Sequence, residues 1–98
     1  METEAIKRLR RKLSNLRKTD LRRAAEVAYV LAQLLLKSGN QKEAIYFGRE
    51  CISLFDRCKM ETEEDCAARY TVLEGVALPD FIHQEVVKNR LALAGLEL

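Results

Sequence analysis

The stretch from Ala24 to Leu36 constrains this chain more than any other. Wound into a helix, Leu21, Ala24, Ala25, Val27, Ala28, Val30, Leu31, Ala32, Leu34 and Leu35 leave no broad polar side to face water. Only Glu26 and Gln33 interrupt the apolar run, which is too short to cross a bilayer. A helix of this kind must be covered by neighbours on all sides, so it is expected at the centre of a folded unit. With 98 residues in total, one domain is the natural reading.

The neighbours can be read from the same pattern. The chain has four glycines and one proline, is rich in Leu, Ala, Glu, Lys and Arg, and has no stretch of period two. The expected fold class is therefore all-α, with about five helices in an antiparallel helical bundle forming a single helical domain over 1–98. A basic N-terminal helix is expected over 4–17, where Ile6, Leu9, Leu13 and Leu16 recur at spacings of three and four. Thr19 or Asp20 can cap the central helix, which runs to Lys37. Lys37-Ser38-Gly39-Asn40 then supplies a basic last turn and a glycine for a left-handed C-terminal position. Asn40-x-x-Glu43 resembles a capping box that opens a third helix, running to about Lys59 with Ala44, Gly48, Cys51, Phe55 and Cys58 inward and Ile45 and Ile52 alongside. Helices two and three thus make a tight hairpin over 20–59.

Two C-terminal helices are expected over 62–94. Thr62-x-x-Asp65 opens the first, with a stripe of Cys66, Ala67, Tyr70, Leu73 and Ala77; Gly75 weakens it and Pro79 stops it. Asp80 is placed to cap the second, whose apolar side is Phe81, Ile82, Val86, Leu91 and Leu93, and Gly95 ends it.

The hairpin resembles one tetratricopeptide repeat. The residues at the family's pattern positions are Ala28, Leu31, Ala32, Leu35, Ala44, Gly48, Cys51 and Asp56, and Gly39 falls on the family's turn glycine. Ala28 and Gly48 are small where the family is usually large, and Asp56 stands where it often has proline. The resemblance covers residues 25–58; one repeat further on, Asp65 occupies a leucine position. It implies a close-packed helical hairpin that binds a peptide or protein and does no catalysis. A lone repeat cannot bury both its faces, so the remaining helices or a partner are expected to close the core.

Catalytic and metal chemistry find little footing. The three cysteines form no Cys-x-x-Cys pair, and Cys51 and Cys58 lie two turns apart, about 10 Å by helical rise. With His83 they would make a poor zinc set, and they are expected to act as small buried hydrophobes. His83 stands in no catalytic motif, and Glu61, Glu63, Glu64 and Asp65 fit the start of a helix. No glycine-rich phosphate loop or metalloprotease motif occurs. The expectation is a non-enzyme with no cofactor and no metal.

Charge is the remaining signal. Residues 1–23 carry nine basic and three acidic side chains; the rest of the chain carries eight and twelve. The basic first helix is compatible with a solvated face, with docking to an acidic patch on a partner or second copy, with nucleic-acid phosphates, or with an anionic membrane or a targeting role. No aromatic residue is interleaved among its arginines to stack on bases. The expected function is a non-catalytic adaptor or scaffold module, a subunit or fragment of a larger assembly, with Ile6, Leu9, Arg10, Arg11, Leu13 and Leu16 as its partner-binding residues. The alternative is a nucleic-acid-associated factor that uses the first helix as an electrostatic arm. The odd cysteine count and charged N-terminus favour an intracellular compartment.

Overall fold

The computed structural model describes residues 2–58 and 67–96. Helix α1, Glu4–Thr19, begins where the Thr3 hydroxyl accepts from the Ile6 amide. A single extended residue, Asp20, joins it to α2, Leu21–Lys37. Asp20 serves both helices: its amide donates to the Leu16 carbonyl, and its carboxylate accepts from the Arg23 amide. At the far end of α2, Gly39 donates to the Leu36 carbonyl and Asn40 to that of Leu35, the paired bonds of a Schellman turn, with Gly39 at φ +87°. Asn40 then accepts from the Glu43 amide and donates its side-chain N–H to the Glu43 carboxylate, opening α3, Gln41–Cys58. The three helices pack as successive antiparallel hairpins, so α1 runs parallel to α3.

Residues 24–32 of α2 are all buried, as its composition requires. Small side chains are buried on both helices of the α2–α3 hairpin: Ala24, Ala25, Ala28 and Ala32 on one, and Ala44, Gly48 and Cys51 on the other. The Cys51 thiol donates to the Ala25 carbonyl at 3.0 Å, a distance that only a close approach of the two backbones permits.

The expected helix over the region after residue 62 is not what the chain forms between 67 and 82. Its opening, Thr62 to Asp65, and Cys66 lie outside the described residues. From Ala67 onward the chain goes out and back as an irregular hairpin. Strands β1, Val72–Leu73, and β2, Val76–Ala77, pair antiparallel, and Ala67 bridges to Phe81. Glu74 and Gly75 form the turn with φ of +50° and +79°, the two positive values that a two-residue type I′ turn needs. Flanking Val72 and Val76 favour extended backbone, so Gly75 marks a strand reversal and not a frayed helix end. Val76 and Leu78 are buried; Tyr70 and Leu73 are half-buried and Ala77 is exposed, contrary to the helical stripe. The fold is therefore mostly helical and not all-α, with four helices among the described residues.

The last helix, α4, spans Gln84–Leu93 and starts later than expected: His83, not Asp80, is its N-cap. Asp80 instead offers its carbonyl to the Ala68 amide. The inward face of α4 is Val87 and Leu91, joined by Ile82 before it and Leu96 beyond its Gly95 turn; Phe81 and Leu93 are exposed.

One buried carboxylate fastens the 67–82 hairpin to the helices. Glu26, fully buried on α2, accepts from Arg22 Nε at 3.1 Å, from the Arg69 amide at 2.8 Å and from the Tyr70 amide at 3.3 Å. The Arg69 guanidinium reaches the Asp20 carboxylate at 2.5 Å. Removing one partner of a buried ion pair strands the other, so Glu26→Ala is expected to cost about 3–5 kcal/mol. Thermal unfolding measures the loss, and hydrogen exchange reads whether the Arg69 and Tyr70 amides lose protection. Protection unchanged in a folded variant would show that Glu26 does not hold the hairpin.

Candidate interaction surface

The apolar stripe of α1 turns inward. Ile6, Leu9 and Leu13 are 1% exposed and Leu16 is half-buried, all packed in the chain's own core. These four side chains, expected as a partner surface, are thus part of the fold itself, because α1 supplies one of the covers that α2 needs. Of the other two expected residues, Arg10 is engaged within the chain and Arg11 is exposed.

Much of the basic charge of α1 is answered by glutamates elsewhere. Arg10 bonds Glu2 and, at 2.6 Å, Glu43 on α3; Arg17 pairs with Glu50, also on α3. Both cross-helix pairs join residues 33 apart, and together they make a seam along the parallel helices α1 and α3. Hydrogen bonding to Arg10 holds the Glu2 carboxyl below the usual range. On the opposite flank, Arg8 makes two hydrogen bonds to Glu74 at the tip of the β-hairpin and holds that carboxyl low as well. The Lys12 ammonium lies 5.4 Å and the Arg23 guanidinium 5.1 Å from the centre of the Tyr70 ring, within cation–π range.

Beside the seam, exposed cations that make no ion pair among the described residues include Arg11 and Lys18 on α1, and Lys42, Arg49 and Arg57 on α3. Tyr46, 61% exposed, stands one turn from Lys42 and nearly one from Arg49. Lys42, Ile45, Tyr46, Arg49, Ser53 and Arg57 line an open groove along α3. Sequence reasoning passed over this face. Its signal was the spacing Lys42, Tyr46, Arg49, Ser53, which is the polar complement of the inner face Ala44, Gly48, Cys51 and Phe55.

Among the described residues no three His, Cys, Asp or Glu side chains are grouped to hold a metal ion, and no helix is long and apolar enough to cross a membrane. His83 is half-buried at the start of α4 and makes no side-chain capping bond. Comparison with known protein families, with curated proteins and with solved structures finds nothing that matches this chain.

The two described cysteines sit in different surroundings. Burial pushes the Cys51 thiol well above its ordinary value and raises the half-exposed Cys58 as well. The reactive form is the thiolate, so an alkylating reagent at pH 8 is expected to modify Cys58 more slowly than a free cysteine, and Cys51 only at the rate of unfolding. Peptide mass mapping over time separates the two; equal rates in native protein would contradict the close α2–α3 packing.

Proposed function

We propose that this chain is a non-catalytic protein-interaction module, built on a tetratricopeptide-like hairpin whose exposed layer of α1 and α3 receives a protein partner or a second copy. The observation that carries the reading is that layer itself: a face of two parallel helices, with an exposed tyrosine among cations that make no ion pair among the described residues. Several features support the repeat-like scaffold. The small residues at the helix crossing are buried, Gly39 makes the turn, and the 33-residue offset of the α1–α3 ion pairs is close to the family's 34-residue period. In this reading the 67–82 hairpin and α4 stand where a following repeat would, closing the core as a terminal cap does in a solenoid.

The rival reading, a nucleic-acid arm on α1, has less free charge to use. Six of the nine basic side chains in residues 1–23 pair with acids of the chain itself: Lys7, Arg8, Arg10, Arg17, Arg22 and Arg23. Free counter-charge is what phosphate binding draws on.

A photo-crosslinking amino acid at position 46 tests the function directly, with one at the exposed position 72 of β1 as control. Protein adducts of defined mass from position 46, including a dimer of the chain, and none from position 72, are the expected result. Adducts to nucleic acid alone, or no adduct at position 46, would end the interaction-module reading.

A further inference from the structure

We infer that the α1/α3 face receives an acidic helical segment of a partner protein, with carboxylates spaced about two helical turns apart. This inference rests on the interaction-module reading and gives that partner its chemistry.

The seam between α1 and α3 provides the template. There, arginines seven residues apart on one helix, Arg10 and Arg17, meet glutamates seven residues apart on a parallel helix, Glu43 and Glu50. Seven residues rise about 10.5 Å along an α-helix, so two pairs at this spacing hold neighbouring helices in register. The same spacing recurs, unanswered, on the outside. Arg11 and Lys18 are seven apart on α1, and Lys42 and Arg49 are seven apart on α3. All four are exposed and make no ion pair among the described residues. Helical spacing turns each pair to the side away from the core: Arg11 follows the seam residue Arg10, and Lys42 is two residues before the buried Ala44. A further helix with glutamates at positions i and i+7, or i, i+4, i+7 and i+11, would meet the rows as α3 meets α1.

Among the described residues, the nearby acids do not fill this role. Glu43 and Glu50 are held in the seam, and Asp56 lies two turns beyond Arg49, next to Arg57. Tyr46, between Lys42 and Arg49, offers an apolar ring against which the stem of a glutamate or a leucine can pack. For single-stranded nucleic acid the face is poorly equipped, because successive bases need a series of aromatic platforms and Tyr46 is the one aromatic in the row.

The probe is a fluorescein-labelled helix of alanine and glutamate, with Glu at i, i+4, i+7 and i+11, titrated with the full chain and followed by anisotropy. A peptide with Gln in place of Glu and a single-stranded oligothymidine are measured beside it. The Glu peptide is expected to bind and to weaken as salt rises from 50 to 150 mM, with the Gln peptide roughly ten-fold weaker. Arg11→Glu combined with Arg49→Glu is expected to reduce binding roughly ten-fold or more. Arg8→Gln, on the opposite flank of α1, is expected to leave it within about two-fold. Circular dichroism confirms that each variant is folded; should the double variant not fold, Lys18→Gln with Lys42→Gln replaces it, with the same direction of change expected. Equal binding of the Gln peptide, indifference to the charge changes, or no binding of the Glu peptide would overturn the inference. Tighter binding of the oligothymidine at 150 mM salt would overturn it in favour of a phosphate-binding surface. If the Glu peptide fails while position 46 still crosslinks to a protein, the acidic partner falls and the interaction module stands; if both fail, so do both readings.

Discussion

The fastening of the 67–82 hairpin to α2 depends on the carboxylate of Glu26. Helix α2 is apolar nearly all round and has to be covered, yet the segment that completes its cover is an irregular hairpin whose backbone amides at Arg69 and Tyr70 have no strand partner there. Buried amides need acceptors. Glu26 provides two, and the Arg22 guanidinium beside it offsets the charge. An apolar residue at position 26 would pack but leave two amides unsatisfied; a carboxylate without Arg22 would be an uncompensated buried charge. The single acid within the apolar run of α2 is therefore what lets a non-helical segment close a helical core.

The first three helices are legible in the sequence because the signals that define them are local. The α1 stripe repeats at three and four, Asp20 and Asn40 cap the helices that follow them, and Gly39 takes the left-handed turn. The segment after them is misread for a physical reason. Tyr70, Leu73 and Ala77 fit a helical stripe by spacing alone, and the alternation that marks a strand needs more residues than β1 and β2 supply. The Glu74-Gly75 reversal is decided by two positive backbone angles, and a glutamate in that position advertises neither.

The surface is less legible than the fold. A run of arginines reads as free charge until its partners are known, and these lie far along the chain: Glu43 is 33 residues from Arg10, and Glu74 is 66 from Arg8. No local pattern pairs them. Once the pairs are assigned, the exposed cations without an ion pair among the described residues include two short rows on adjoining helices, only one of which belongs to the basic N-terminal segment. The net excess of the first helix is therefore a poor guide to where the molecule is electropositive; the arrangement of α1 against α3 decides that.

The position of Glu26 within the chain also bears on how the protein is made. Synthesis delivers α1, α2 and α3 before residues 69 and 70, so any packing of the first three helices takes place while this carboxylate has neither amide to accept from. Until then Arg22 is its protein partner, and its remaining acceptor sites are open to water. Docking of the hairpin exchanges that water for the backbone amides of Arg69 and Tyr70, so closing the core is also a desolvation of this one carboxylate.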